Sequence, residues 1–400
     1  MLLFSGQFVS IMGDAVFTGA VAWLAKSLTG RDDATGLAVF LAVLPWLIVG
    51  PFAGAWVDRV DRRRAMVASD LARAAVLLGL WAAAGAGALS FPLLAAAAFL
   101  VHAASTPFVP ARDALLPRLA EGRPLLRVNA TFQVAAQLAG LVGFFVGGAL
   151  LGGSPATGAD ANARVVAVLG LDGLTFLVSA ATIAALVVPP GAPPPPSTGG
   201  NVWRRAMRGV AASVRDPLLL PLLVLTAVDN LAIMGPATVG ATAYVRDDLH
   251  LGPRHWAWFE GAMALGYVVG ALLLARWGGR LRKGPLILWG MLFDGLTYVP
   301  LYVVRSYEAA LGWVFLHGLF IPCIVVGRTA LVQQRVPEER RGQVFSLVNL
   351  TVQGMTALSA LAAGFVGQAL GAPTLFLLAG LLGTLCGVAG FLVPALRRAA

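Results

Sequence analysis

Apolar stretches of about twenty residues recur along nearly the whole chain, and each can cross a hydrocarbon core about 30 Å thick as a helix. Twelve are found, near 2–25, 35–57, 65–87, 91–111, 129–152, 165–188, 217–245, 255–277, 285–304, 308–328, 343–369 and 372–394. A backbone in lipid must satisfy its own N–H and C=O groups, so spans of this length are helices. The composition agrees: 58% of the 400 residues are hydrophobic and 12% are charged, more apolar surface than a soluble core of this length needs. The expected fold is an all-α membrane protein of twelve transmembrane helices.

Residues 2–25 lack the basic leading segment of a secretory signal and carry Asp14 midway, so they read as a retained helix. Cys323 and Cys386 both fall inside spans, which leaves no disulfide framework and no metal-ligand cluster to expect. The net charge of +10 follows topology and points away from nucleic acid. With the N-terminus cytoplasmic, only Lys26, Arg31, Arg164, Arg246, Arg254 and Arg305 of the 29 basic residues fall outside. The rest, Arg73 and Arg328 among them, are assigned to the cytoplasmic side, so both termini are expected there.

The chain divides at 189–216. Pro189, Pro190, Pro193, Pro194, Pro195 and Pro196 with Gly199 and Gly200 suit neither a membrane helix nor a packed core. Just beyond, Trp203, Met207, Val210 and Val214 recur at helical spacing beside Arg204, Arg205, Arg208 and Arg215, a pattern shared by an interfacial helix and a solvated connector. The expected units are 1–188, the linker 189–216, and 217–400. At an offset of about 220 residues the halves resemble each other. Asn129, Thr131 and Gln133 align with Asn349, Thr351 and Gln353, and Val49-Gly50 aligns with Val269-Gly270. Six spans per half make this a parallel repeat, giving two pseudo-symmetric six-helix bundles.

The loop after the second span reads Gly54-Ala-Trp-Val-Asp58-Arg59-Val-Asp61-Arg62-Arg63. It resembles the cytoplasmic signature of the major facilitator superfamily, with Asp61 where a glycine is usual. Gly6-Gln7 and Gly13-Asp14 in span one, Arg112-Asp113 to Pro117 after span four, Asn129, and Val336-Pro337 with Arg341-Gly342 look like the subgroup of macrolide and siderophore exporters. The resemblance implies that Gly54, Asp58, Arg59, Arg62, Arg112 and Asp113 form a cytoplasmic gate. Positive-inside anchoring is the competing reading and explains part of the arginine count, but an acidic residue such as Asp58 gains nothing from it. Gly140, Gly143, Gly147, Gly148 and Gly152 in span five form a small-residue face that lets helix backbones approach closely.

Charged groups at mid-bilayer cost about 2.5 kcal/mol or more, so each needs a partner, a wet cavity or a function. Asp14, His102, Asp229 and His317 fall near the middle of spans one, four, seven and ten, which line the central cavity if the resemblance holds. Asp14 and Asp229 are expected to carry protons, with His102, His317, Gln133 and Gln353 as cavity ligands or partners. Interhelical packing is the competing reading for each. Asp172 and Asp294 are expected to be structural, and Glu260, close to an end of span eight, to be solvated.

No phosphate loop, metal-ligand spacing or nucleophile elbow occurs, so neither an ATP-driven pump nor an enzyme is expected. The expectation is a monomeric secondary transporter in a bacterial plasma membrane, without a cofactor. It would use the proton motive force to export amphipathic small molecules of drug, macrolide or siderophore type by alternating access. The alternatives are a lipid or lysolipid flippase of the same fold and a non-transporting membrane scaffold or sensor.

Overall fold

In the computed structural model, residues 2–50, 53, 57, 60–119, 125–151, 159–186, 216–277, 281–336 and 338–399 are described, and no strand occurs among them. The first seven helices are α1 (Leu2–Thr29), α2 (Asp32–Ile48), α3 (Arg62–Gly85), α4 (Phe91–Ser105), α5 (Phe108–Leu119), α6 (Leu125–Leu151) and α7 (Ala159–Ala184). The six long helices that follow are α8 (Leu219–Gly235), α9 (Pro253–Trp277), α10 (Lys283–Leu296), α11 (Tyr307–Arg335), α12 (Glu338–Leu370) and α13 (Ala372–Phe391), and a short helix, Pro394–Arg397, is the last in the chain's described part. Among the described residues, eleven helical segments are long and apolar enough to cross a membrane. The 17-residue α2 supplies the remaining expected span, and α4 with the start of α5 forms a single one, Phe91–Asp113. Several helices run a turn past the apolar windows of the sequence, because polar end turns remain helical.

Local chemistry sets many of the boundaries. Asp61, the residue at the signature's usual glycine, N-caps α3 by accepting a 2.8 Å hydrogen bond from the Arg64 amide. Gly30 (φ +69°) and Gly371 (φ +79°) supply the left-handed turns from α1 into α2 and from α12 into α13. Beyond α8 the helix continues through a π-helical segment, Pro236–Gly240, then Ala241–Ala243, then a second π-helical segment, Tyr244–Asp248. Pro236 has no N–H and crowds the carbonyl four residues back, and the wider π turn relieves both problems.

The chain forms two compact units, Met1–Pro194 with Val245–Gly261, and Pro195–Tyr244 with Ala262–Ala400. Contact thus assigns the segment 245–261, from the middle of the second sequence repeat, to the first unit. The linker residues 189–215, including the arginine-rich stretch, lie outside the described residues. Within the first unit α1 packs on α6 and α7, and α3 on α4 and α7. Within the second, α8 packs on α12 and α13, and α10 on α11 and α13. Counted in spans, the contacts 1–5, 1–6, 3–4 and 3–6 recur as 7–11, 7–12, 9–10 and 9–12, so the packing repeats as the sequence does.

Polarity is distributed as a membrane requires. Val146 and Leu150 on α6 and Leu381, Leu382 and Leu385 on α13 are exposed, whereas Asp70, Arg73, Asp172, Asp229 and Asp294 are buried. Small residues allow this packing. A Cβ added at Gly143 would lie 2.2 Å from the Met12 carbonyl oxygen, and one at Gly147 would lie 2.6 Å from Val16 Cγ1. Gly148 faces Trp258 instead, Gly140 faces open space and Gly152 lies outside the described residues, so among the described residues the expected glycine face of span five serves two neighbours and does not reach Gly140. In the second unit α9 and α11 cross backbone to backbone. A Cβ at Gly266 would lie 2.1 Å from the Phe315 carbonyl oxygen, and one at Gly318 would lie 2.2 Å from that of Met263.

Carbonyls within helices cannot retreat as a side chain can, so Gly266→Val should destabilise by about 1–3 kcal/mol through overpacking. Gly312→Ala on the partner helix α11, where a Cβ would meet nothing within 4 Å, should be neutral or stabilise by up to about 1 kcal/mol. Thermal unfolding of the purified variants in detergent measures both.

Candidate functional site

The first unit holds a polar cluster inside its apolar core, centred on Arg73. Sequence reading assigns Arg73 to the cytoplasmic loop after span two; the structure corrects this, placing it about three turns into α3 with its side chain 6% exposed. An i, i+3 ion pair with fully buried Asp70 on the same helix makes that burial tolerable. The guanidinium also lies 3.5 Å from Asp14 Oδ2 on α1 and stacks over the rings of Phe176 and Phe108, at 4.0 and 5.0 Å from their centroids.

A third carboxyl group, Asp172 on α7, joins from the opposite side. A Cβ at Gly13 would lie 2.0 Å from Asp172 Oδ1, so glycine at position 13 is what lets α7 bring this group against α1. The Thr175 hydroxyl lies 3.1 Å from the same oxygen. One turn further along α7, Ser179 Oγ accepts a 3.2 Å hydrogen bond from Gln7 Nε2. The pair Gly13-Asp14 therefore does two jobs: the glycine admits Asp172 and the aspartate reaches Arg73. Asp14 is the accessible member of the cluster, with 38% of its side chain exposed.

His102 lies beside this cluster on α4. Its Nδ1 is 3.4 Å from the Trp46 indole N–H, an acceptor position that leaves the ring proton on Nε2, and its ring is 5.4 Å from that of Phe17. Asp70 is a residue that sequence reading passed over. Its signal is an acid three residues before a base within one apolar span, a pair able to enter a membrane together.

The second unit repeats the theme with different partners. Asp229 on α8 and Asp294 on α10 are both buried. Arg328 of α11, assigned to a loop from sequence, lies two turns inside that helix and interacts electrostatically with Asp229. His317, also on α11, is 3% exposed and has its Nδ1 3.1 Å from Thr297 Oγ1, 3.2 Å from the Asp294 carbonyl and 3.4 Å from Asp294 Oδ1. The Tyr298 ring packs edge-on against it at 4.5 Å. Asn230 donates to the Thr226 carbonyl at 2.8 Å. The structure thus joins His317 to Asp294, and Asp229 to Arg328, within one bundle.

Of the expected gate residues, Gly54, Asp58 and Arg59 lie outside the described residues. Arg62 opens α3. Arg112 pairs with its neighbour Asp113 at 2.8 Å and stacks over Phe132 at 4.5 Å. Arg63 donates to the Ile183 carbonyl at 3.1 Å, placing a cation at the C-terminal end of α7. Gln353 is half-buried on α12, and Gln133 lies on α6.

A third feature, absent from the sequence reading, lies where segment 245–261 meets the first unit. Lys26 Nζ is held 2.7 Å from Asp32 and 2.8 Å from Asp247, while Arg246 donates to Ser27 Oγ at 2.9 Å and lies 5.7 Å from the Trp23 ring centroid. Glu260, expected to be solvated, is instead 7% exposed, and the packing of its helix on α1 and α6 explains the difference.

Comparison with known proteins agrees with these features. The family model described as Major Facilitator Superfamily matches residues 3–237 and 222–399. Macrolide efflux protein A of Streptococcus pyogenes is 24% identical over 384 residues, covering 95% of this chain and 92% of that protein. Multidrug efflux pump Tap of Mycolicibacterium fortuitum is 24% identical over 416 residues, covering 100% and 96%. The fold superposes on a crystal structure of a bacterial homolog of the human lysosomal transporter Spinster, inward-facing and occupied, with a TM-score of 0.78, 13% identity and coverage of 98% and 95%. With duplicated bundles, paired intramembrane charges and a family model matched along nearly its whole length, the chain belongs to the Major Facilitator Superfamily.

Proposed function

We propose that the protein is a proton-driven secondary exporter of amphipathic small molecules. It works by alternating access as a monomer in a bacterial plasma membrane, with both termini cytoplasmic. Arg73 with its three carboxyl groups is the observation that carries the proton-driven part. Asp14, Asp70 and Asp172 share one guanidinium, so the cluster can gain or lose a proton while its cation stays in place. Asp14 is the member suited to exchange, because it is accessible and its 3.5 Å contact with Arg73 is looser than the Asp70 pair. Asp229, facing Arg328, is the corresponding candidate in the second unit.

Export of small molecules is supported by relatives whose names are macrolide efflux protein and multidrug efflux pump and which align along nearly the full chain. In this reading His102 and Gln353 contribute to substrate contact, and His317, fixed by Asp294 and Thr297, positions the α10–α11 pair. The direct test is efflux of a macrolide or a lipophilic dye from proteoliposomes with and without an imposed proton gradient. Gradient-dependent efflux is expected. Lysolipid movement without drug efflux would favour a flippase, and no flux of any kind would favour a scaffold.

Asp14→Asn removes the exchangeable carboxylate but keeps its shape, so gradient-driven efflux should fall to the level of protein-free liposomes while the melting temperature stays within a few degrees of wild type. Efflux that still follows the gradient would contradict the role given to Asp14. Arg73→Met strands three carboxyl groups and should cost about 3–5 kcal/mol of stability, as breaking a buried pair does. Adding Asp70→Asn should restore part of that loss, and thermal unfolding of the single and double variants measures the coupling.

A further inference from the structure

A cavity of about 360 Å³ lies at one end of the second unit, between the start of α8, the end of α11 and the short helix Pro394–Arg397. Buried Leu218 and Leu331 form its apolar side, and Gln334, Arg335 and Arg398 bring polar groups to it. The membrane spans Leu219–Asp248 and Tyr307–Arg335 begin and end here, so the cavity lies at the depth of the lipid headgroups. Its charge is one-sided. Asp216, the acid that adjoins it, is already committed: its Oδ1 accepts from the Leu218 and Leu219 amides at 2.8 and 3.1 Å, and its Oδ2 lies 3.5 Å from Arg335 Nε. That contact is at the inner nitrogen of a guanidinium whose side chain is 51% exposed, which leaves the terminal amino groups for another acceptor. The Arg398 guanidinium has no acceptor among the described residues.

The backbone that carries Arg398 is held in place. Leu396 is fully buried. A Cβ at Gly284 would lie 1.8 Å from the Leu396 carbonyl oxygen, the Gly284 amide donates to the Ala399 carbonyl at 3.1 Å, and the Arg282 side chain donates to the Arg398 carbonyl. Glycine at position 284 therefore lets the backbone of 396–399 rest directly on the first turn of α10. A cation that only anchors a span needs neither a cavity nor a fixed backbone, because any exposed basic residue near a span end serves.

We propose that this cavity is a binding site for the headgroup of an anionic phospholipid, with Arg335 and Arg398 on the phosphate oxygens and the Gln334 amide on a headgroup hydroxyl. Planar guanidinium groups suit phosphate oxygens, which they can bond in pairs. Paired arginines also select against zwitterionic lipids, whose ammonium group would sit among like charges. A lipid is favoured over free phosphate by the apolar surface that runs from the same elements into the membrane. Leu220 and Val224 on α8, and Leu392 just before the short helix, are all exposed. Acyl chains would cover this surface, whereas inorganic phosphate would leave it unused. The site is independent of the direction and energy source of transport.

The test is native mass spectrometry of the full chain, delipidated in a neutral detergent and titrated with palmitoyl-oleoyl phosphatidylglycerol, palmitoyl-oleoyl phosphatidylcholine or inorganic phosphate. Phosphatidylglycerol should bind in preference to phosphatidylcholine. Arg335→Gln and Arg398→Gln should each weaken it by about tenfold, the scale of a hydrogen bond to a charged group. Arg397→Gln removes the same charge from the adjacent exposed residue, which does not line the cavity, and should leave the affinity near wild type. Asp216→Asn keeps the helix cap, since asparagine caps as well as aspartate, and withdraws the carboxylate that competes for Arg335. It should tighten binding, a change that loss of structure cannot imitate.

The three arginines are exposed, so melting temperatures without added lipid should stay near wild type and show that the variants fold. Equal losses in Arg397→Gln and Arg398→Gln would overturn the proposal, since the attraction would then be that of a diffusely basic face. Equal binding of the two lipids would overturn it too, as would weaker or unchanged binding in a folded Asp216→Asn variant. Displacement of phosphatidylglycerol by inorganic phosphate at matched concentration would make the cavity a site for the free anion and defeat the assignment to lipid.

Discussion

Arg73 makes the interior of the first unit possible. A low-dielectric bundle tolerates a charge only with a partner close at hand, and this guanidinium serves Asp70 on its own helix and Asp14 on α1, with Asp172 of α7 at the same junction. The three helices that form the tightest packing of the unit, α1, α3 and α7, are therefore also joined by charge. Gly13 is part of that arrangement, because any larger residue would push Asp172 away from α1. Close packing and charge neutralisation here are one constraint, since the counter-charges approach only as far as the backbones do.

The second unit meets the same constraint with a different distribution. Its acids lie on the equivalent first and third helices, Asp229 on α8 and Asp294 on α10, but the cation has moved to α11 as Arg328, and Asp294 is satisfied through His317 and Thr297. Duplication preserved where carboxyl groups enter the bundle and not how they are balanced. The two halves of the repeat thus carry different charge partners on corresponding helices.

Much of this was legible in the sequence. Length and spacing of apolar stretches give the number and order of spans, because lipid leaves the backbone no alternative to helix. The repeated Asn-x-Thr-x-Gln and Val-Gly pairs mark equivalent helices, and the packing repeats accordingly. Charge pairing was much less legible. A hydropathy window treats Arg73 as a polar residue near a span edge and cannot see that Asp70, one turn earlier, neutralises it. Glu260 escaped for the complementary reason: its nearness to a helix end suggests water, whereas burial depends on Trp256 and Trp258 closing over Gly19 and Gly148 from elsewhere in the chain.

The contrast between Asp14 and Glu260 shows how one chain can hold carboxyl groups of distinct use. Asp14 is partly exposed and has a cation beside it, so its charge is supported. Glu260 is buried and has no cation beside it among the described residues. A group of the first kind carries a charge at little cost, and a group of the second kind carries one only at a cost of several kcal/mol. Both kinds meet at α1, which bears Asp14 near its middle and packs at Gly19 against Trp256 on the helix of Glu260.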